Sequence, residues 1–167
     1  DSIKSGTTSL IIGFILVILF MFYQYRIFGL IANTSLIANL LMLLGILTIL
    51  EATLTLPGIA GIILTVGMAV DANVLIFERI REELKTEKSI IHAFDTGYAK
   101  AKITVLDANI TTLIAAIILF AFGSGPVKGF AITLGIGIIT TLFTAYFLAR
   151  HLTSLLVLNT KNKEIKI

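Results

Sequence analysis

Cysteine and tryptophan are absent from the 167 residues, histidine and proline occur twice each, and charged side chains make up only 14% of the chain. Without cysteine there is no disulfide scaffold, thiol nucleophile or thiolate zinc site, and two histidines leave little for a metal centre. No metal and no cofactor are expected, and the redox compartment stays open. The chain also lacks a phosphate-binding loop of the G-x-x-x-x-G-K-[ST] type and a nucleophile–base pair. It therefore reads as a non-enzyme with no catalytic residues. The shortage of charge excludes most. With 57% hydrophobic residues and a mean hydropathy of +1.01, too little polar surface remains to cover a water-facing exterior, for which typical chains carry roughly 25% charged residues. The bilayer is the expected solvent.

A net charge of +3 does not point to nucleic acid, because the basic residues sit in short stretches between apolar runs without interleaved aromatics. Anionic lipid headgroups suit them better. The chain opens on Asp1, and its first apolar run is followed by several others. It reads as a piece of a longer protein and not as a chain with a cleaved signal peptide.

Crossing ~30 Å of hydrocarbon takes about 20 apolar residues in a helix. Five intervals meet that length, at about 8–26, 31–51, 57–77, 103–122 and 127–149. Pro57 suits a first helical turn, and the turn Gly123-Ser124-Gly125-Pro126 separates the last two intervals. The expected fold is an all-α polytopic bundle forming a single transmembrane domain. Residues 78–102, where Ile80, Leu84, Ile91, Phe94 and Tyr98 recur among charges, read as an amphipathic connector on the headgroups. Residues 150–167 read as a tail.

Basic residues near span ends stay in the cytoplasm. One face holds Arg26, Arg79, Arg81, Lys85, Lys88, Lys100, Lys102, Arg150, Lys161, Lys163 and Lys166, and the other only Lys4 and Lys128. Eleven against two places the C-terminus in the cytoplasm and, with five spans, the N-terminus outside.

Asp71 is the anomaly. It lies about 14 residues into the third span, or ~21 Å along the helix, past the midplane. A charged residue there costs ~2.5–3.5 kcal/mol on insertion scales and usually faces a bundle interior. Low-dielectric surroundings penalise the ionised form of any carboxyl, so a group at that depth is suited to taking up and releasing a proton. The alternative is an interhelical hydrogen-bond anchor. No Lys, Arg or His lies at mid-depth in the five spans, so a cationic partner has to come from another chain or from missing sequence.

Asp71-Ala72-Asn73 recurs as Asp107-Ala108-Asn109 on the next span. Asp107, Asn73, Asn109 and Thr111 are supporting polar candidates. Asp107, only a few residues inside its span, reads as structural, and the asparagines as glue between helices. A second repeat, Leu30-Ile31-Ala32-Asn33 and Leu36-Ile37-Ala38-Asn39, reads as packing with satisfied polar groups. Gly129, Thr133, Gly137 and Thr141 recur every fourth residue, and Gly61 and Gly67 lie on the third span. Small residues at such spacing let backbones approach closely.

Thr55 to Gly61, then Val70-Asp-Ala-Asn-Val-Leu-Ile-Phe-Glu-Arg-Ile-Arg-Glu-Glu-Leu84, closely resemble the signature region of the SecD/SecF family of bacterial protein-export subunits. Asp107 to Ile114, Gly125 to Ala131 and Gly135-Ile-Gly137 are similar to that family's next two helices. The resemblance implies membership of the RND superfamily and the last five helices of a six-helix half, whose large extracytoplasmic domain engages preprotein. It further implies a place in the bacterial inner membrane, a homologous partner half SecF beside the SecYEG channel, and YajC as a further associate. By the family pattern Asp71 is the proton-carrying position. The rivals are half of an RND-type small-molecule exporter, and a scaffold of the translocon that carries no protons.

Overall fold

The computed structural model describes residues 2–52, 55–86 and 89–159. In hydrocarbon a backbone must satisfy its own N–H and C=O groups, which favours helix throughout. The described residues form no strand. Five helices are long and apolar enough to cross a membrane. They are α1 (Ser2–Tyr25), α2 (Ile27–Ile49), α3 (Leu56–Thr86), α4 (Ile90–Phe122) and α5 (Pro126–Phe143), the last continued by a π-helical stretch, Thr144–Ala149, and by α6 (Arg150–Asn159). This is the all-α bundle that the apolar intervals predict.

The helix ends follow local chemistry. Arg26 alone joins α1 to α2, with φ at 53°, and the two helices fold back on each other so closely that a Cβ on Gly29 would overlap the Met21 carbonyl. Glu51 takes a similar φ of 52° beyond the end of α2. The Ser89 side chain accepts a hydrogen bond from the His92 backbone N–H at the start of α4. Gly125, with φ at 54°, precedes Pro126 in the first turn of α5.

α3 is the central element and packs against α1, α2, α4 and α5. Its closest neighbour is α5, which runs parallel to it. A Cβ on Gly61 would stand 3.1 Å from the Thr133 Cβ, and a Cβ on Gly137 would overlap the Thr65 side chain. α1 and α4 are mostly exposed and carry outward rows of Ile and Leu.

The stretch 78–102 is not a separate interfacial helix. It is the end of α3 and the start of α4, joined through residues 87–89. Ile80, Phe94 and Tyr98 are buried with Met21, Tyr25, Phe28 and Phe77 in one apolar cluster, so their spacing serves helix packing. The Tyr25 and Phe28 rings lie 5.4 and 5.6 Å from Phe77. Residues 150–159 prolong the last helix, while residues 160–167 of the expected tail, with Lys161, Lys163 and Lys166, lie outside the described residues, as does Lys88.

Candidate functional site

The two ends of the bundle differ in charge. At one end Tyr25 donates to Glu78 Oε1 at 2.9 Å, Arg81 meets the same oxygen at 2.9 Å and lies over the Tyr25 ring, and Lys100 meets Glu83 Oε1 at 2.7 Å. Arg79 meets Glu82 at 2.9 Å. Arg150 lies over the Tyr98 ring, and Tyr146 donates to the Lys102 carbonyl at 2.9 Å. The charged ends of α3 and α4 are thus bound to each other and to the α1–α2 turn.

Asp71 stands on α3, inward from that charged end. A carboxyl at membrane depth is expected to face a bundle interior, and within this chain alone the residue stands on an outward side of α3. Asp71 is exposed. It lines an open cleft of ≈ 480 Å³ between α3 and α4, together with Leu64, Met68, Leu75, Asn109 and Thr112. The cause is helical phase. Ala69, Ala72, Asn73 and Ile76 turn inward, which sends residue 71 to the opposite side of α3.

The supporting candidates separate. Asn109 reaches the Asp71 cleft. It is 4% exposed and donates through Nδ2 to the Val105 carbonyl at 2.8 Å, which leaves its Oδ1 without a protein partner. Asn73, adjacent in the motif, is buried on the far side of α3, and its Oδ1 also lacks a partner. Asp107 is exposed and does not line the cleft. Thr111, likewise exposed, donates to the Asp107 backbone carbonyl at 2.9 Å. The Asp-Ala-Asn repeat therefore places one carboxylate and one asparagine, from different copies, at one cleft.

Of the small residues, Gly61, Thr133 and Gly137 lie in the α3–α5 contact, and Gly129 meets Thr55. Gly67 faces open space: a Cβ there would meet nothing within 4 Å. Thr141 has a polar role as well, since its Oγ1 accepts from Asn39 Nδ2 at 3.0 Å. Beside it Ser35 donates to the Thr144 carbonyl at 3.4 Å, where the π-helical stretch begins. Sequence reasoning marks Asn39 and Thr141 as packing positions but does not pair them in this buried α2–α5 seam. The signal was the Asn39 member of the second repeat, opposite a run of threonines.

With this geometry in hand, three comparisons agree. The C-terminal family of the protein export membrane proteins SecD and SecF matches residues 2–159. Relatives named protein translocase subunit SecD are 53% identical over 167 residues in Magnetococcus marinus and 57% identical over 167 residues in Desulfurispirillum indicum, covering 100% of this chain and 32% of each relative. The crystal structure of SecDF from Thermus thermophilus, described as a translocon-associated membrane protein, superposes with a TM-score of 0.91 at 41% identity, over 96% of this chain and 22% of that one. A SecDF structure in a super-membrane-facing form matches with the same TM-score, 0.91.

The five apolar helices and these matches define a multi-pass membrane protein of the protein-export class. The chain belongs to the SecD/SecF family, and it spans about a third of the length of its SecD relatives.

Proposed function

We propose that this chain is the membrane-embedded part of a SecD-type subunit of the bacterial Sec export machinery, and that Asp71 couples proton movement to late steps of preprotein translocation and release. The observation that carries the reading is the position of Asp71: a carboxyl at membrane depth, exposed in an open α3–α4 cleft. A charged side chain left against lipid costs ~2.5–3.5 kcal/mol, so a second helical half supplies cover. A SecF-type half is the partner proposed for it, beside a SecYEG channel and with YajC as a further associate. Preprotein is engaged by an extracytoplasmic region of the full-length protein.

The membrane is the bacterial inner membrane, with the charged end of the bundle in the cytoplasm, by the excess of basic residues there. A proton enters from the outer side, neutralises Asp71 and changes the contact between α3, α4 and the covering half. The full-length subunit then alternates between states. This chain performs no covalent chemistry, and its charges act on position alone.

Gradient-dependent secretion by full-length protein carrying Asp71→Asn tests the reading, with expression and partner assembly measured in parallel. Asn keeps the hydrogen bonding and removes the titratable charge. Loss of gradient-driven export with intact assembly supports a proton-coupling role. Unchanged export overturns it and leaves a scaffold in which Asp71 serves packing.

A further inference from the structure

The Asp71 cleft does not end at Asp71. A second cavity of ≈ 380 Å³ lies between the same two helices at the charged end, lined by Leu75, Glu78, Arg79, Glu82, Lys100 and Thr104. Leu75 borders both cavities. Along α3 the residues 71, 75, 78 and 82 are spaced by four, three and four, which aligns them on one stripe of the helix. At ~1.5 Å per residue, Leu75 stands about 6 Å beyond Asp71 and Glu82 about 10 Å beyond Leu75. The two cavities and the stripe describe one groove, in which Leu75 stands between Asp71 and the ion-paired residues of the charged end.

The charged groups of this second cavity are already engaged, either with each other or with residues beside it. Glu78 is held by Tyr25 and Arg81, Glu82 pairs with Arg79, and Lys100 is held by Glu83. Ion-paired side chains suit a hydrated mouth at the charged end, whereas an apolar constriction excludes water and with it a hydrogen-bonded chain for protons. Leu75 is exposed, at 45%, so its side chain borders the groove and is not locked in the core.

We propose that the α3–α4 groove is the route by which the Asp71 proton leaves toward the charged end, and that Leu75 is the barrier that interrupts it. This rests on the proton-coupling reading of Asp71 and adds the residue that controls release. Leu75 is a positioning residue: it acts by admitting or excluding water between Asp71 and the ion-paired mouth.

The test uses full-length protein with its partner half, reconstituted in proteoliposomes with an imposed proton gradient and a pH-sensitive dye, without preprotein. Leu75→Ser, which hydrates the constriction at little cost in packing, raises proton entry by about tenfold, equivalent to one decade in rate. That leak vanishes in the double variant Leu75→Ser with Asp71→Asn, a dependence that loosened packing alone does not produce. Leu75→Ala replaces Leu75→Ser if the latter fails to assemble, with the same expectation. Leu75 variants with wild-type proton entry, where Asp71→Asn abolishes gradient-driven uptake, overturn the barrier and leave the Asp71 reading standing. A leak that persists in the double variant also overturns it, because the route then bypasses Asp71. Uptake that is unchanged by Asp71→Asn alone overturns the Asp71 reading itself, and the barrier falls with it.

Discussion

Asn39 and Asp71 are both polar residues within spanning helices, yet their surroundings give them opposite roles. Asn39 is 2% exposed and its Nδ2 donates to Thr141 across the α2–α5 contact. Interhelical hydrogen bonds of this kind contribute about 0.6 kcal/mol on average and up to about 1.7. Asn39→Ala is therefore expected to lower the thermal unfolding midpoint in detergent without affecting where the protein inserts, and an unchanged midpoint contradicts the role given to this bond. Asp71 has no comparable interior site, and its cleft opens outward. The sequence revealed that Asp71 is out of place in hydrocarbon, since one charge in a long apolar run is visible without a structure. Which side of α3 bears it was not visible. The helix has small residues on several sides, and only packing against α5 selects Gly61 and Thr65 as the inner face while Gly67 stays open. The Asn73 and Asn109 pair shows the same limit, because identical tripeptides in two antiparallel helices present different members to one cleft.

At the scale of elements, the α3–α4 pair depends on close approach at its charged end. A Cβ on Gly97 would stand 2.7 Å from Ile80 Cγ1 and 3.0 Å from the Ile80 backbone. Backbone atoms cannot move aside as a side chain can, so Gly97→Ala is expected to cost about 1–3 kcal/mol and to separate the two helices. Gly67→Ala, with open space around it, is expected to stay within about 0.5 kcal/mol of wild type. Thermal stability of both variants, measured side by side in detergent, checks the contrast, and equal losses contradict the packing described. The five spans were legible because charge-free runs of sufficient length leave few alternatives. The stretch after residue 77 reads as an amphipathic connector because periodic apolar residues among charges look the same on a lipid surface and on two helix ends packed together. What distinguishes them is a long-range contact, such as Phe94 and Tyr98 buried against Phe77 and Ile80, which periodicity does not encode. The π-helical stretch at Thr144–Ala149 has no sequence signature beyond the threonines around it.

At the scale of the whole molecule, the asymmetry of basic residues becomes a statement about orientation. Arg26, Arg81, Lys100, Lys102 and Arg150 gather at one end through their contacts, and Lys128 lies at the start of α5, at the other. The absence of cysteine from this sequence makes it a clean background for topology mapping. Single substitutions Glu51→Cys and Ser124→Cys are expected to react with a membrane-impermeant maleimide applied to spheroplasts, and Lys85→Cys and His151→Cys only after permeabilisation. The reverse pattern contradicts the orientation and, with it, the direction of proton release. The central claim, that Asp71 couples a proton gradient to export, is tested most directly by the ratio of preprotein export with and without a gradient, in vesicles carrying full-length wild-type or Asp71→Asn protein at equal assembly. The ratio is expected to fall in the variant to that of vesicles lacking the subunit; a ratio equal to wild type contradicts the claim.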